Sequence, residues 1–370
     1  MILVEKKHNC TGCGACSMTC PSSAIKMRED EKGFLYPEIM NKYCTNCGMC
    51  KRICPNLAEK NEQNNEINIY AMKNKDEKTR ATSSSGGVFY EYAKSILDEN
   101  GSVYGASYNI FNEVEHIRVE TIDDLHKLQG SKYIQSTITN VYEQIKDDLK
   151  KDKKVLFSGT PCQVAGMKKY LEKKRINIEK FYTCDIICHG VPSPKVFKDY
   201  IKNLEKQYNS RVKSINFRHK ENNHTQNIKI EFENGQTYIS NYDKKDEFYQ
   251  LFLNDLILRE SCYKCRYTSF DRVGDITLGD FWGIEKTIEN FDDKKGVSLV
   301  LVNSEKGKEI FEKIKDKYEI QETCKENCVQ KNLKEPCEKP DQYDKLWEDY
   351  LKEGYNKLVE KIKKYIHYLS

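Results

Sequence analysis

Two periods of apolar residues divide this chain into strands and helices. Short apolar runs bounded by turn residues predict strands at Ala24–Met27, Phe34–Pro37, Ile69–Lys73 and Val103–Ala106. Val155-Leu156-Phe157 reads as a buried strand, followed by a tight turn and a helix from about Gln163 to Lys173. A second such unit runs from Phe181 to a strand end near Cys188, with Ser193-Pro194 opening the next helix. Helical spacing also joins Phe89, Tyr92, Ala93, Ile96 and Leu97, and again Val141, Ile145 and Leu149. Ile215–Arg218 and Ile228–Glu233 alternate, and Asn234-Gly235 predicts a hairpin into Gln236–Ile239. A helical stretch from Phe248 to Leu258 follows. Val297–Val302 is a buried strand, with Ser304 capping the next helix. In the tail, Trp347, Leu351, Tyr355, Leu358, Ile362, Tyr365 and Leu369 form one apolar stripe against a Lys-rich face, which predicts a core-covering amphipathic helix.

Polarity sets the expected domains. Residues 1–56 form a cysteine-rich module, and the Asn- and Glu-rich stretch 57–68 is a linker. Residues 69–340 form a large domain, and 341–370 the terminal helix. The fold class is α+β or α/β, with strand–helix units in the large domain and an antiparallel excursion.

The module's chemistry lies in a repeat. Cys10-x-x-Cys13-x-x-Cys16-x-x-x-Cys20-Pro21 recurs as Cys44-x-x-Cys47-x-x-Cys50-x-x-x-Cys54-Pro55. This is the bacterial ferredoxin spacing for two 4Fe–4S clusters, in which the fourth cysteine of each run crosses to the other cluster. Cys10, Cys13, Cys16 and Cys54 are therefore expected to hold one cluster. Cys44, Cys47, Cys50 and Cys20 are expected to hold the other. Zinc ribbons use cysteine pairs rather than such triplets, and disulfide frameworks belong to short secreted chains.

Composition narrows the classes. The 370 residues carry 61 basic and 57 acidic side chains, a net charge of +4, without a basic patch that would suit nucleic acid. The first residues lack a signal-peptide core, and no apolar run is long enough to span a membrane. The sixteen cysteines then read as metal ligands in a reducing cytoplasm.

Eight cysteines lie outside the module. Cys262-x-x-Cys265, with Cys162 and Cys188 at strand ends, fits a third 4Fe–4S cluster. Cys184 competes with Cys188, and Cys324, Cys328 and Cys337 form no pattern. Ser84-Ser85-Gly86-Gly87 before a helix offers hydroxyls and free N–H groups to an anion, or is a plain cap. Lys132 sits in a polar loop, Gly130 to Ser136. His189 adjoins a cysteine at a strand end.

Taken together, Ser84–Gly87, Gly130-Ser131-Lys132-Tyr133, Gly159-Thr160-Pro161-Cys162-Gln163, Cys188-His189-Gly190-Val191-Pro192-Ser193, Cys262-x-x-Cys265 and Gly274-Asp275-Ile276-x-x-Gly279-Asp280-Phe281-Trp282-Gly283 resemble one family. It is the coenzyme F420 hydrogenase/dehydrogenase beta-subunit family, here behind a two-cluster ferredoxin. The match runs to about residue 300 and is weakest in the last seventy residues. The resemblance implies a mixed α/β, flavin-binding large domain with FAD and one 4Fe–4S cluster, hence three clusters in the chain. It implies flavin contacts at Ser84, Ser85, Gly86, Gly87, Lys132, Gln135, Thr160 and Pro161, with Lys132 and His189 as candidates for proton supply or flavin polarisation.

The expected function is an iron–sulfur flavoprotein oxidoreductase that reduces an organic substrate with electrons from ferredoxin or another low-potential donor. Two alternatives stand beside it: a deazaflavin (F420-type) oxidoreductase subunit, and a non-catalytic electron-transfer subunit of a larger complex. The substrate and the oligomeric state are not legible.

Overall fold

The computed structural model describes residues 7–58, 67–221 and 224–369. Most of the expected linker, 59–66, and the first six residues lie outside them, as do the side chains of 365–370. In chain order the strands are β1 (Ile25–Glu29), β2 (Leu35–Ile39), β3 (Asn68–Asn74), β4 (Ser102–Tyr108), β5 (Val114–Val119), β6 (Val155–Gly159), β7 (Phe181–Ile186), β8 (Val212–Glu221), β9 (His224–Phe232), β10 (Thr237–Ser240), β11 (Ile276–Asp280), β12 (Ser298–Val302) and β13 (Tyr318–Thr323).

Eight of them make one mixed sheet in the order β13-β3-β12-β11-β7-β6-β4-β5. The centre, β11-β7-β6-β4, is parallel, and both flanks are antiparallel. Val155, Leu156 and Phe157 in β6 are fully buried, as a strand covered on both faces requires. Parallel pairing puts the C-terminal ends of β6, β7 and β11 along one edge. The chain leaves that edge at Thr160, Ile187 and Phe281, where open α/β sheets gather their ligands.

The β8-β9-β10 sheet is antiparallel, with the expected Asn234-Gly235 hairpin. Phe217, Ile228, Ile230 and Phe232 line a core shared with Phe248, Leu251 and Phe252. The helix there is Glu247–Leu253, shorter than the periodicity suggests, because Asp255 turns the chain at positive φ. The tail contributes Trp347, Tyr350, Tyr355, Leu358 and Ile362 to the same core. It is two helices rather than one, Tyr343–Glu353 and Tyr355–Leu369, broken at Gly354 with φ 83°. That kink leaves Leu351 exposed. Strands β5 and β13 were not legible in the sequence. Both are edge strands whose polar faces interrupt the alternation, in the burial patterns of Val114–Val119 and Tyr318–Thr323.

The N-terminal module keeps its internal duplication in backbone form. Short helices Ala15–Thr19 and Met49–Ile53 each follow a left-handed glycine, Gly14 at φ 77° and Gly48 at φ 70°, and each ends on an extended cysteine, Cys20 or Cys54. β1 and β2 form the hairpin between the runs. The module is seated on the large domain: Cys13, Ala15 and Ile53 share a core with Tyr142, Val164 and Met167. The seat is close. A Cβ on Gly166 would lie 2.9 Å from Cys13 Sγ, and Tyr142 donates a hydrogen bond to Cys13 O at 2.8 Å.

Candidate iron–sulfur and cofactor site

All sixteen cysteines are free. Burial pushes the Cys13 thiol up to about 12, and the neighbouring charges that add to the effect are Cys10, Cys54 and Cys162. Burial raises Cys16 as well, with Cys13, Cys10 and Cys54 adding to it. The second set shows the same crossing: Cys50 is raised by burial and then by Cys47 and Cys20. Cys54 is thus an electrostatic neighbour of the first run and Cys20 of the second, as the expected crossing requires. Cys10, Cys13, Cys16, Cys50 and Cys54 line a cavity of about 200 Å³.

The inner set converges from three elements. Cys162 is in the first turn of helix Pro161–Lys173, capped by Thr160 in a reciprocal box with Gln163. Cys188 follows β7 by two residues, and Cys262 and Cys265 lie in and just after the turn Glu260–Lys264. Burial raises Cys188 well above the ordinary thiol range, and Cys262, Cys162 and Cys265 add to it. Cys265 is pushed up to about 11 by burial and then by Cys162. Cys184 is elsewhere: its side chain packs with Tyr92, Leu156 and Ile276 on the other face of the sheet. Of the two competing cysteines, only Cys188 has Cys162, Cys262 and Cys265 among its electrostatic neighbours.

The donor chemistry fits iron–sulfur clusters. Burial raises Cys13, Cys16 and Cys54 of the first set and all four thiols of the inner set, so those thiols keep their protons unless a metal's charge offsets the loss of hydration. A single tetrahedral zinc ion would draw its sulfurs to roughly 3.8 Å, from Zn–S bonds of about 2.3 Å. Among the described residues, the one group of three ligand atoms all within 4.8 Å of one another is His189, Asp255 and Cys337, so no three cysteine sulfurs meet that spacing.

Arg259 and Tyr267 join the first set to the inner one, and sequence reading missed both. Arg259 is 1% exposed. Its Nε donates to Cys10 O at 2.8 Å, Nη2 to Leu35 O at 2.9 Å and to Cys10 Sγ at 3.6 Å, and Nη1 to Gln135 Oε1 at 3.2 Å. Its guanidinium stacks on Tyr36 at 4.1 Å. Its backbone bonds Val191 O and Cys262 N, beside two inner cysteines. Among the described residues no carboxylate lies within ion-pair reach of it. The one sequence signal was an arginine ending the apolar run Leu256-Ile257-Leu258. Tyr267 is buried, its hydroxyl donates to Asn56 Oδ1 at 3.3 Å and its carbonyl accepts from Arg272 at 2.7 Å, so it ties the end of the module to the loop after Cys265.

A buried ion pair fixes the frame. Arg272 bonds Asp185 Oδ1 at 3.1 Å with both side chains at most 1% exposed. It also donates to Tyr267 O and Ile186 O, tying the loop after Cys265 to the strand before Cys188. Gly274 is required here, since a Cβ would lie 2.7 Å from Asp185 N. Asp275 accepts from Thr183 and Ser304. The glycine–aspartate motif is thus largely architectural.

The expected flavin residues divide into two groups. Ser84 Oγ lies 3.0 Å from Ser131 Oγ and accepts from Ser131 N, so the two loops meet. Ser85 bonds Val297 O, while Gly86 packs so tightly that a Cβ would lie 2.1 Å from Met72 O. Gly87 caps helix Val88–Leu97. Lys220, from β8, reaches into this corner and donates to Arg80 O and Ser85 O. Arg218 spans Asp280 and the Tyr133 hydroxyl. Burial lowers the Lys132 ammonium to about 7, and burial with the charges of Arg80 and Arg218 lowers Lys220 to about 7. Lys132 donates to Lys127 O and Gln129 O. In contrast, the Gln135 side chain is committed to Leu35 and Arg259, and Thr160 to Cys162 and Gln163, with Pro161 buried beside them. These three stand with the cysteine sets. The His189 ring packs on Phe252 and faces Asp255 and Cys337. Burial works to lower it, but those two neighbours hold it up to about 10.

Two family models match this chain. Residues 152–327 match the family model for the C-terminal part of the beta subunit of coenzyme F420 hydrogenase/dehydrogenase, and residues 9–58 match that of the 4Fe-4S dicluster domain. The chain is 23% identical over 333 residues to a subunit of the F(420)H(2) dehydrogenase of Methanosarcina mazei, covering 85% of this chain and 84% of that protein. A solved chain from the F420-reducing [NiFe] hydrogenase complex of Methanosarcina barkeri aligns at TM-score 0.47 and 16% identity, over 83% of this chain and 94% of that one.

Proposed function

Because the chain belongs to the coenzyme F420 hydrogenase/dehydrogenase beta-subunit family, with a 4Fe–4S dicluster domain ahead of it, we propose that it is an iron–sulfur flavoprotein with three 4Fe–4S clusters and one FAD, reducing an organic substrate with electrons from ferredoxin or a similar low-potential donor. The coarser statement, an iron–sulfur electron-transfer oxidoreductase subunit, follows from the matches themselves. The observation that carries the finer one is the succession of two cysteine sets joined by Arg259 and Tyr267, with a lysine-lined corner on the same large domain. When bound, clusters carry single electrons and a flavin gathers them in pairs.

The chain's own residues supply the rest. Arg259 offsets the negative charge of the Cys10 set and fixes the module's orientation through Cys10 and Leu35. Ser84, Ser85, Ser131 and the backbone around Gly87 offer donors to the phosphates or ring edge of a flavin, and Lys132 and Lys220 supply cations there. Lys132, held near neutrality, suits proton delivery at that corner. His189 is engaged by Asp255 and Cys337 and is a weaker candidate for that role. Among the described residues no helix is long and apolar enough to cross a membrane.

The name of the Methanosarcina mazei relative favours a second reading, in which the substrate is the deazaflavin coenzyme F420 itself. Anaerobic cofactor analysis tests the first part: about twelve iron atoms, four per cluster, and one flavin per chain are expected. Cys265→Ala should remove about four irons. Iron near eight in the reconstituted protein, or no flavin, refutes the assignment. A substrate screen with reduced ferredoxin, including F420, separates the two readings.

A further inference from the structure

His189, Asp255 and Cys337 bring together three chemically different donors that the electron path does not use. Nε2 of His189 lies 2.8 Å from Asp255 Oδ1, and Cys337 Sγ lies 3.9 Å from each ring nitrogen. Asp255 is 8% exposed and Cys337 1%. Nε2 and Oδ1 are in ion-pair contact, and Oδ1 is buried without a well-aligned hydrogen bond. Lys331 stands 3.9 Å from the other carboxylate oxygen, Oδ2, and leaves Oδ1 facing the imidazole and the sulfur. Asn332 donates to Cys337 Sγ at 3.7 Å, and the Cys337 thiol donates to His189 O at 3.0 Å, a proton that metal binding would displace.

We propose that these three residues form a mononuclear zinc site, separate from the clusters, that pins the C-terminal helices to the loop after Cys188. Zinc bonds of about 2.0–2.1 Å to nitrogen, 2.0–2.2 Å to oxygen and 2.3 Å to sulfur give tetrahedral edges of roughly 3.3–3.8 Å. The two separations from His189, 2.8 and 3.9 Å, reach those edges by shifts of well under 1 Å, and all three ligand atoms lie within 4.8 Å of one another. A Cys–His–Asp set of borderline softness suits zinc above calcium or magnesium, and water completes the fourth position. The site's reach is architectural. Cys337 precedes helix Tyr343–Glu353, whose Tyr343 and Trp347 fill the core under β8-β9-β10. One ion would therefore fasten the tail, which otherwise matches the family least, to the loop of an inner cysteine.

The test uses the intact, anaerobically purified protein with its clusters. Zinc, iron and acid-labile sulfide are counted together, so that zinc misplaced in a cluster site shows as missing iron and sulfide. About one zinc per chain is expected, with iron and sulfide equimolar. Cys337→Ser and Asp255→Asn should each lower zinc at least tenfold while iron and sulfide stay constant. X-ray absorption at the zinc edge should show one sulfur and the remainder nitrogen or oxygen. Zinc below a tenth of an equivalent in the wild type, zinc retained in both variants, or a four-sulfur zinc shell would each overturn the site. None of these outcomes depends on flavin or on the count of twelve irons, so the proposed function stands or falls separately.

Discussion

Arg259→Met replaces a buried cation by an apolar side chain of similar length, and it should lower the reduction potential of the cluster assigned to Cys10, Cys13, Cys16 and Cys54. The guanidinium has no carboxylate partner among the described residues, and its Nη2 lies 3.6 Å from Cys10 Sγ. At an effective dielectric of about 20, one unit charge at that distance is worth roughly 4–5 kcal/mol. An added electron spreads over a whole cubane, so the mean separation is about twice as large and the effect about 2 kcal/mol. For a one-electron couple, at 59 mV per factor of ten, that is a fall of about 100 mV. The sign follows from charge: a cation favours the more negative, reduced state. The assay is an anaerobic redox titration followed by electron paramagnetic resonance, with iron content measured in parallel. Arg259→Lys should recover part of the shift, because the charge returns without the fork that grips Cys10, Leu35 and Gln135. Full iron content with every couple within about 20 mV of wild type would refute the reasoning, since a fifth of the calculated effect would mean solvent screens this site.

Three further outcomes follow from the geometry. Cys20→Ser should damage the cluster assigned to Cys44, Cys47 and Cys50 and spare the other, as resonance spectra of the two would show; loss of the Cys10 set's signal instead would reverse the crossing. Arg272→Leu leaves Asp185 buried and unpaired and should destabilise the fold by about 3–5 kcal/mol in denaturant titration, and a cost under about 1 kcal/mol would contradict the pair's burial. Lys132 and Lys220 titrate near 7 when folded against 10.5 in their ordinary state, so between those values the unfolded chain holds more protons and apoprotein stability should rise with pH. An anion prefers their charged forms, so pyrophosphate or FAD should bind with proton uptake and weaken above about pH 7, and calorimetry showing pH-independent affinity from 6 to 9 would count against this corner as the anion site.

What was legible in the sequence had a local cause. The two cysteine runs were legible because each closes within a few residues, and the crossed ligation is what their spacing implies. Strands β6 and β7 and the caps Ser193 and Ser304 were readable for the same reason. Edge strands β5 and β13 were not, because polar side chains fall on both faces of each, Glu115 and His116 in one and Gln321 and Glu322 in the other, and break the period-two pattern. The apolar stripe of the tail was read as one helix because Gly354 carries no apolar signal, while its left-handed φ decides the geometry. At the site, Arg259, Lys220 and Tyr267 act at sequence separations that no motif records; Arg259 meets Cys10 across 249 residues. Gln135 and Thr160 were grouped with the flavin by neighbouring motifs, yet their hydrogen bonds lead to Arg259 and Cys162. The partnership of Cys337 with His189 was invisible for the same reason of distance along the chain.

The seat of Cys13 against Gly166 and Tyr142 bears on kinetics. A detached ferredoxin must diffuse, collide and orient before each transfer, so its rate depends on concentration, viscosity and salt. Here that search is already complete, because the module shares a core with the domain it serves. Transfer from the first cysteine set to the inner one should be a unimolecular event, first order in protein and indifferent to dilution or added glycerol. Under the proposed function, salt would then act only where an external donor meets the outer set near Cys47, which faces solvent.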